Sequence, residues 1–327
     1  MERKIFEFHC HYLFKMSKQE MLDIFKEEFE NTDVKKVCFL SIPQEYSSKG
    51  ELKINKDQNE LGLFLKKSFS PNAYAFAGLV HPKKYYNKEE IKKDFLKQVE
   101  SYYEQGFDGM KMLEGYPTFI KYTGQGIDSE IYDDFYKFCE ERRFPIVMHV
   151  ANPDENWNIL EADKYAIELG RVYDSTYPSK EEITNQVFNV LKKFPRLTLI
   201  LAHFGFFSKH YEDAERFMSY QNTYLDTTPG GEQFIHISKE LNKWMPFIKK
   251  YQDRIVYGSD FYAFIKDENF EISYKRRPTF LKQYFETSST HTYLGEKFKG
   301  INLAKDILEK IYYSNAERLL GSPKKIK

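Results

Sequence analysis

The chain has 327 residues, with 49 Lys and Arg against 49 Asp and Glu, so its formal net charge is zero. Only ten of the cations are arginines, and a chain without an uncompensated basic surface is not suited to a phosphate backbone, which excludes nucleic acid as the partner. Hydrophobic residues at 41% and aromatics at 17% supply a substantial core and exclude disorder over most of the chain; a small soluble molecule is the expected partner.

Residues 1–4 lead straight into a strand pattern with no apolar signal region, and no apolar run approaches the about 20 residues of a membrane span, so a cytoplasmic protein without a membrane partner is expected. Cys10, Cys38 and Cys139 are an odd number without a short-spaced pair and read as core residues of a reducing compartment.

Strand-length apolar runs fall at residues 4–9, 36–42, 73–80, 109–113, 145–150, 197–203, 223–227 and 255–260. Helical periodicity falls at 18–30, 88–105, 129–142, 183–194, 211–220, 240–251 and 303–320. In the second of these, Ile91, Phe95, Val99 and Tyr102 line one stripe while Lys92, Lys93, Lys97 and Glu100 face away. Strands alternating with helices predict an α/β chain folded as a (β/α)8 TIM barrel, one domain over 1–327. No Gly-x-Gly-x-x-Gly follows a strand, which disfavours a doubly wound sheet. Residues 43–59, polar and rich in Ser, Lys and Glu, predict an extended loop after the second strand, and 262–300 a long insertion after the eighth. Both are candidate pocket walls, with a structural insertion or a dimer contact as the alternative.

The chemistry sits at the strand ends. The first strand ends Phe8-His9-Cys10-His11, and a period of two puts both imidazoles on one side with Cys10 on the other. The fifth ends in His149, the sixth in His203, and the eighth in Asp260. Each alone reads equally well as a satisfied structural residue, and Asp260 as a helix cap. Together they are polar groups at the ends of apolar strands that converge on one face of a barrel, where they need a partner. Imidazole and carboxylate donors suit Zn2+, Mn2+ or Fe2+.

This arrangement resembles the amidohydrolase superfamily, in its amidohydrolase-related branch, which also holds decarboxylases of the aminocarboxymuconate-semialdehyde type. The resemblance is also carried by Gly106-Phe-Asp-Gly-Met-Lys, Ala202-His-Phe-Gly, Tyr257-Gly-Ser-Asp and the closing Ile311-Tyr-Tyr-Ser-Asn-Ala-Glu-Arg-Leu-Leu-Gly. It departs in having Glu7 where the family has Asp, Phe-Tyr-Ala after Asp260, and the long segment before the final helix. The resemblance implies that His9, His11, His149 and Asp260 hold a divalent transition metal, Zn2+ first and Mn2+ or Fe2+ as alternatives, with His203 beside the bound water or substrate. It also implies a homodimer.

The expected activity is a metal-dependent hydrolase that cleaves an amide, ester or lactone by a metal-activated water. Asp260 would take the water's proton and His203 would polarise the carbonyl. The alternative is a non-oxidative decarboxylase on the same scaffold, in which His203 or Asp260 protonates the carbon that loses CO2. A barrel that binds a ligand without catalysis is a third reading, which retention of all five residues opposes. Lys111, at the end of the fourth strand, would be a carboxylated bridge between two metals, a salt-bridge partner inside the barrel such as Glu7's, or a cation for a substrate carboxylate. His81, Trp157, Phe206 and Tyr262 follow strands and are candidate pocket residues against a packing alternative; His210, His236 and His291 read as surface residues.

Overall fold

The computed structural model describes residues 3–12, 17–55, 57–85, 87–230, 233–263 and 268–327, without the side chains of residue 165 and of residues 262–276. The eight apolar runs form parallel strands: β1 (Ile5–Tyr12), β2 (Val34–Leu40), β3 (Ala73–Gly78), β4 (Gly109–Gly115), β5 (Ile146–Val150), β6 (Leu199–Leu201), β7 (Thr223–Asp226) and β8 (Ile255–Val256). Neighbours in the sheet are neighbours in the chain from β1 to β8. A further segment, β9 (Phe261–Ala263), continues β8 after a short break and pairs with β1 through Cys10 and Phe261. Phe8 N donates to Tyr257 O at 3.0 Å across the same seam. The sheet thus comes round into the nearly closed (β/α)8 barrel that the alternation predicts.

Side-chain alternation divides the core into an inside and an outside. Tyr74, Phe76, Val147, Ile200 and Val256 fill the barrel with Phe6, Phe8, Cys38 and Leu40, and Ala316 of the closing helix joins that cluster. Ala75, Met110, Met148 and Leu201, one residue out of phase, pack against the helices. On β1 the phase changes along the strand: Phe6 and Phe8 are interior, whereas Cys10 and Tyr12 join Phe25 and Leu61 in the outer layer. Between Glu7↔Val37 and Cys10↔Phe39, two residues of β1, Phe8 and His9, oppose one of β2, Cys38. This is a bulge. It turns His9 and His11 into the barrel and leaves Glu7 on the outer side.

The helices form where the sequence caps and stripes them. Lys88–Gln105 is a helix with the predicted bounds; Asn87 accepts from Glu90 N at its start, Gly106 takes the left-handed C-cap (φ 96°), and Ile91, Phe95 and Val99 are buried. The helix Gln58–Ser68 lies outside the predicted elements. Its Leu61, Leu63, Phe64 and Leu65 leave no clean stripe, and Asp57 before it makes no side-chain cap. Residues 43–59, expected as a loop, contain the hairpin Gln44–Tyr46 with Leu52–Ile54. The expected insertion after β8 contains the helix Glu268–Glu286 and the hairpin Thr290–Tyr293 with Glu296–Lys299; Phe280, Tyr284 and Phe285 of that helix pack on Phe234. Cys10, Cys38 and Cys139 are free and buried, as expected of core residues. Among the described residues, no helix is long and apolar enough to cross a membrane.

Candidate active site

The bulge on β1 brings His9 and His11 side by side inside the mouth of the barrel, with their Nε2 atoms 3.0 Å apart. His9 Nδ1 donates to Asp226 Oδ2 at 2.6 Å, and His11 Nδ1 donates to the Leu40 carbonyl at 2.9 Å. With each Nδ1 carrying the proton, both Nε2 atoms carry lone pairs aimed at the same region. Burial holds both imidazoles well below the usual histidine range, and the neighbouring Lys111 adds to this, so both are neutral. Asp260 Oδ1 lies 3.5 Å from His11 Nε2 and 3.7 Å from His9 Nε2. Ligand atoms of His9, His11 and Asp260, all buried, lie within 4.8 Å of one another. Two imidazole nitrogens facing one region beside a carboxylate are a donor set that fits a divalent transition metal.

Asp226 is fully buried at the end of β7 and links two of the histidines. Its Oδ2 serves His9, while its Oδ1 accepts from His203 N at 2.8 Å and Thr228 N at 3.0 Å. Burial raises its pKa to about 6 against the opposing pull of Lys111. His203 follows β6 in a tight left-handed turn, with φ of 56° at His203, 52° at Phe204, 62° at Gly205 and 51° at Phe206. The turn stacks the Phe206 ring on the His203 ring, with centroids 5.0 Å apart and planes 17° apart. Among the described residues, His203 Nδ1 is buried without a hydrogen-bond partner. The ring of His203 lies 5.6 Å from that of His9 and 4.9 Å from that of His149. His149 ends β5 beside these two; its Nε2 donates to the Ala151 carbonyl at 2.9 Å, which leaves its lone pair on Nδ1. Burial, with Lys111 adding to it, lowers the His149 pKa to about 3.

Two cations face the carboxylates. Lys111 on β4 is 3% exposed and points inward with Nζ 3.3 Å from His9 Nε2. Burial lowers its pKa to about 8, while Asp226, Asp260 and Glu114 pull the other way. Glu7, the salt-bridge partner offered for it as one alternative, is on the other side of the strand. There Glu7 closes the β1–β8 seam by accepting from Ser259 N at 2.9 Å, Ser259 Oγ at 2.6 Å and His9 N at 3.1 Å. The second cation was not singled out from the sequence. Arg277, in the helix of the insertion, donates from Nη1 to Asp260 Oδ2 at 2.5 Å and to the Asp260 carbonyl at 2.9 Å. The run Lys275-Arg276-Arg277-Pro278 is its only sequence signal, and nothing local to that run ties it to Asp260. Asp226 had no signal beyond its place at a strand end.

The other sequence candidates have partners of their own. His81 Nε2 bonds Glu114 Oε1 at 2.7 Å and its Nδ1 bonds Tyr85 Oη at 2.7 Å, with its ring between Phe95 and Phe119 in the helix layer. Trp157 donates to the Pro178 carbonyl at 3.1 Å and packs on Tyr173. The Tyr262 side chain is outside the described residues. His210, read as a surface residue, bonds Asp154 Oδ1 at 2.6 Å, and His236 lies 3.7 Å from Glu155.

With its (β/α)8 barrel and a buried His-His-Asp group after its strand ends, the chain is an enzyme of the amidohydrolase superfamily, as a family match shows. The chain belongs to the amidohydrolase family: the family model described as Amidohydrolase matches residues 88–322, a span that includes Lys111, His149, His203 and Asp260. That family is metal-dependent. Among solved structures, the chain is similar to a 4-oxalomesaconate hydratase from Rhodopseudomonas palustris (TM-score 0.58, 14% identity, 97% of this chain and 95% of that one covered). It is similar to a 2,6-dihydroxybenzoate decarboxylase from Rhizobium (TM-score 0.56, 14% identity, 97% and 98% covered). A dihydroxybenzoic acid decarboxylase from Polaromonas sp., solved with manganese and the inhibitor 2-nitroresorcinol, matches with TM-score 0.52 and 13% identity over 97% of each chain. At these identities the likeness is one of fold. No curated protein matches the chain in sequence.

Proposed function

We propose that this chain, acting as one domain over 1–327, is a metal-dependent hydrolase that cleaves an amide, ester or lactone bond of a small metabolite. The observation that carries the proposal is the pair of Nε2 atoms of His9 and His11, 3.0 Å apart with both Nδ1 atoms engaged, beside Asp260. His9, His11, His149 and Asp260 would hold the ion, Zn2+ by its preference for nitrogen donors, with Mn2+ and Fe2+ as alternatives. Once bound, such an ion supplies Lewis acidity and lowers the pKa of water.

The chain's own residues do the rest. Asp226 keeps His9 in the tautomer that offers Nε2. Asp260, whose proton affinity burial raises and Arg277 moderates, takes a proton from the attacking water and returns it to the leaving group. His203, neutral and held by Asp226 and Phe206, presents its imidazole to the carbonyl oxygen of the substrate. Lys111 holds an anionic group of the substrate.

A second reading, a non-oxidative decarboxylase, is favoured by Lys111 itself. A buried ammonium 3.3 Å from His9 Nε2 would hold a carboxylate next to the ion, where His203 or Asp260 could protonate the carbon that loses CO2. Metal content of protein purified without chelators, for the native chain and the H9A/D260A double variant, tests the shared premise. About one transition metal per chain, lost in the variant, is expected; no metal bound and none taken up from Zn2+, Mn2+ or Fe2+ overturns it. Release of acid rather than CO2 across a panel of small amides, esters, lactones and carboxylic acids separates the two chemistries. Light scattering on the purified chain tests the homodimer.

A further inference from the structure

We infer that Arg277, supplied by the insertion after the last strand, sets the affinity of the His9–His11–Asp260 group for its metal by competing for Asp260. The inference rests on the metal-dependent reading above. Asp260 divides its two oxygens: Oδ1 faces the imidazoles at 3.5 and 3.7 Å, while Oδ2 is bonded to the Arg277 guanidinium at 2.5 Å. Asp260 is the carboxylate of the group, so an entering divalent ion meets an acid whose charge is already matched. It also meets a permanent cation one carboxylate away, with little water between, since the Asp260 side chain is 8% exposed.

The direction of the effect follows from what else holds Asp260. Ser259 N is bonded to Glu7, and Phe261 is in register with Cys10 on β1. The backbone on both sides of Asp260 is therefore anchored without Arg277, and removing the guanidinium leaves the carboxylate in place with its charge unmatched. By linkage, whatever draws Arg277 away tightens the metal, and the metal loosens Arg277 by the same factor. The insertion thereby becomes a determinant of metal loading.

The experiment is a titration of metal-stripped full-length protein with Mn2+ and Zn2+ by calorimetry, for the native chain, R277Q, R277M and R277K. R277Q and R277M, which remove the charge with and without a polar end, are expected to bind about tenfold more tightly than the native chain, a change within the range typical of coupled binding. R277K retains the charge and is expected to stay near the native affinity, a contrast that a merely structural role would not produce. Native binding with R277Q and R277M unchanged or weaker overturns the inference and leaves the metal site standing. Tight binding by R277Q and R277M but not by the native chain supports it. No binding by any of the four overturns both the inference and the metal-dependent reading.

Discussion

Asp226 reaches His9 Nδ1 with one oxygen, at 2.6 Å, and the backbone of His203 with the other, at 2.8 Å. One buried carboxylate therefore sets the tautomer of a proposed ligand and the position of a proposed catalyst. Loss of such a partner behind a metal-bound histidine typically costs about 10- to 100-fold in metal affinity. Asp226→Asn is expected to weaken Zn2+ or Mn2+ binding within that range while the chain remains folded. Competition titration with a chromophoric chelator measures this; native affinity in the variant would show that Asp226 does not act through His9.

Gly258 lies directly behind His9. A Cβ there would come within 2.7 Å of His9 Cβ and 2.8 Å of Thr228 Oγ1. Gly258→Ala is expected to push His9 off Asp226 and cost about 1–3 kcal/mol in stability, as overpacking does, together with metal affinity. Thermal unfolding and metal titration of the same preparation measure both, and a variant that matches the native chain in both refutes the expectation.

Lys111 as an ammonium already sits among Asp226, Asp260 and Glu114, which favour its charged form. A carbamate in its place would put another negative group beside those carboxylates. The expectation is one metal per chain and no carbamate carbon resonance when the metal-loaded protein is exchanged with 13C-bicarbonate. A carbamate resonance that disappears in Lys111→Met, with a second equivalent of metal, would give the bridging role instead.

Asp154 anchors the loop after β5 to Lys180 at 2.6 Å and to His210 at 2.6 Å. Burial alone would raise its pKa, but His210 and Lys180 override this and hold it well below the usual carboxylate range. Its folded pKa is below its unfolded value of about 3.9. Its stabilisation is therefore present in full above that value and is lost as pH falls through the folded one. Asp154→Asn leaves the buried Lys180 ammonium without its charge partner, at a cost of about 2–3 kcal/mol at pH 7 once its partial exposure is allowed for. Urea unfolding should show that deficit shrinking toward pH 2, and an equal deficit at both pH values would contradict the assignment.

The strands were legible because each is a short apolar run bounded by turn residues, and a parallel barrel buries both faces of every strand. The histidines were legible because they end such runs. The phase of β1 was not: an unbroken period of two would put Glu7 on the same side as His9 and His11. The bulge separates them, and only pairing with β2 reveals it. His81 shows the reverse limit. It stands after a strand like the other candidates, yet its partner Glu114 and its neighbours Phe95 and Phe119 hold it in the helix layer.

By itself the sequence determined the barrel, the placement of His9 and His11 on one side of their strand, and the strand ends that carry His149, His203 and Asp260, because local apolar periodicity and strand ends are properties of short segments. Only the tertiary structure decided which groups meet: Asp226 behind His9, Arg277 on Asp260, Glu7 on the seam with Ser259. Those contacts join residues 217, 17 and 252 positions apart. They depend on how the ring of strands closes and where the insertion lies across it, which no local pattern encodes.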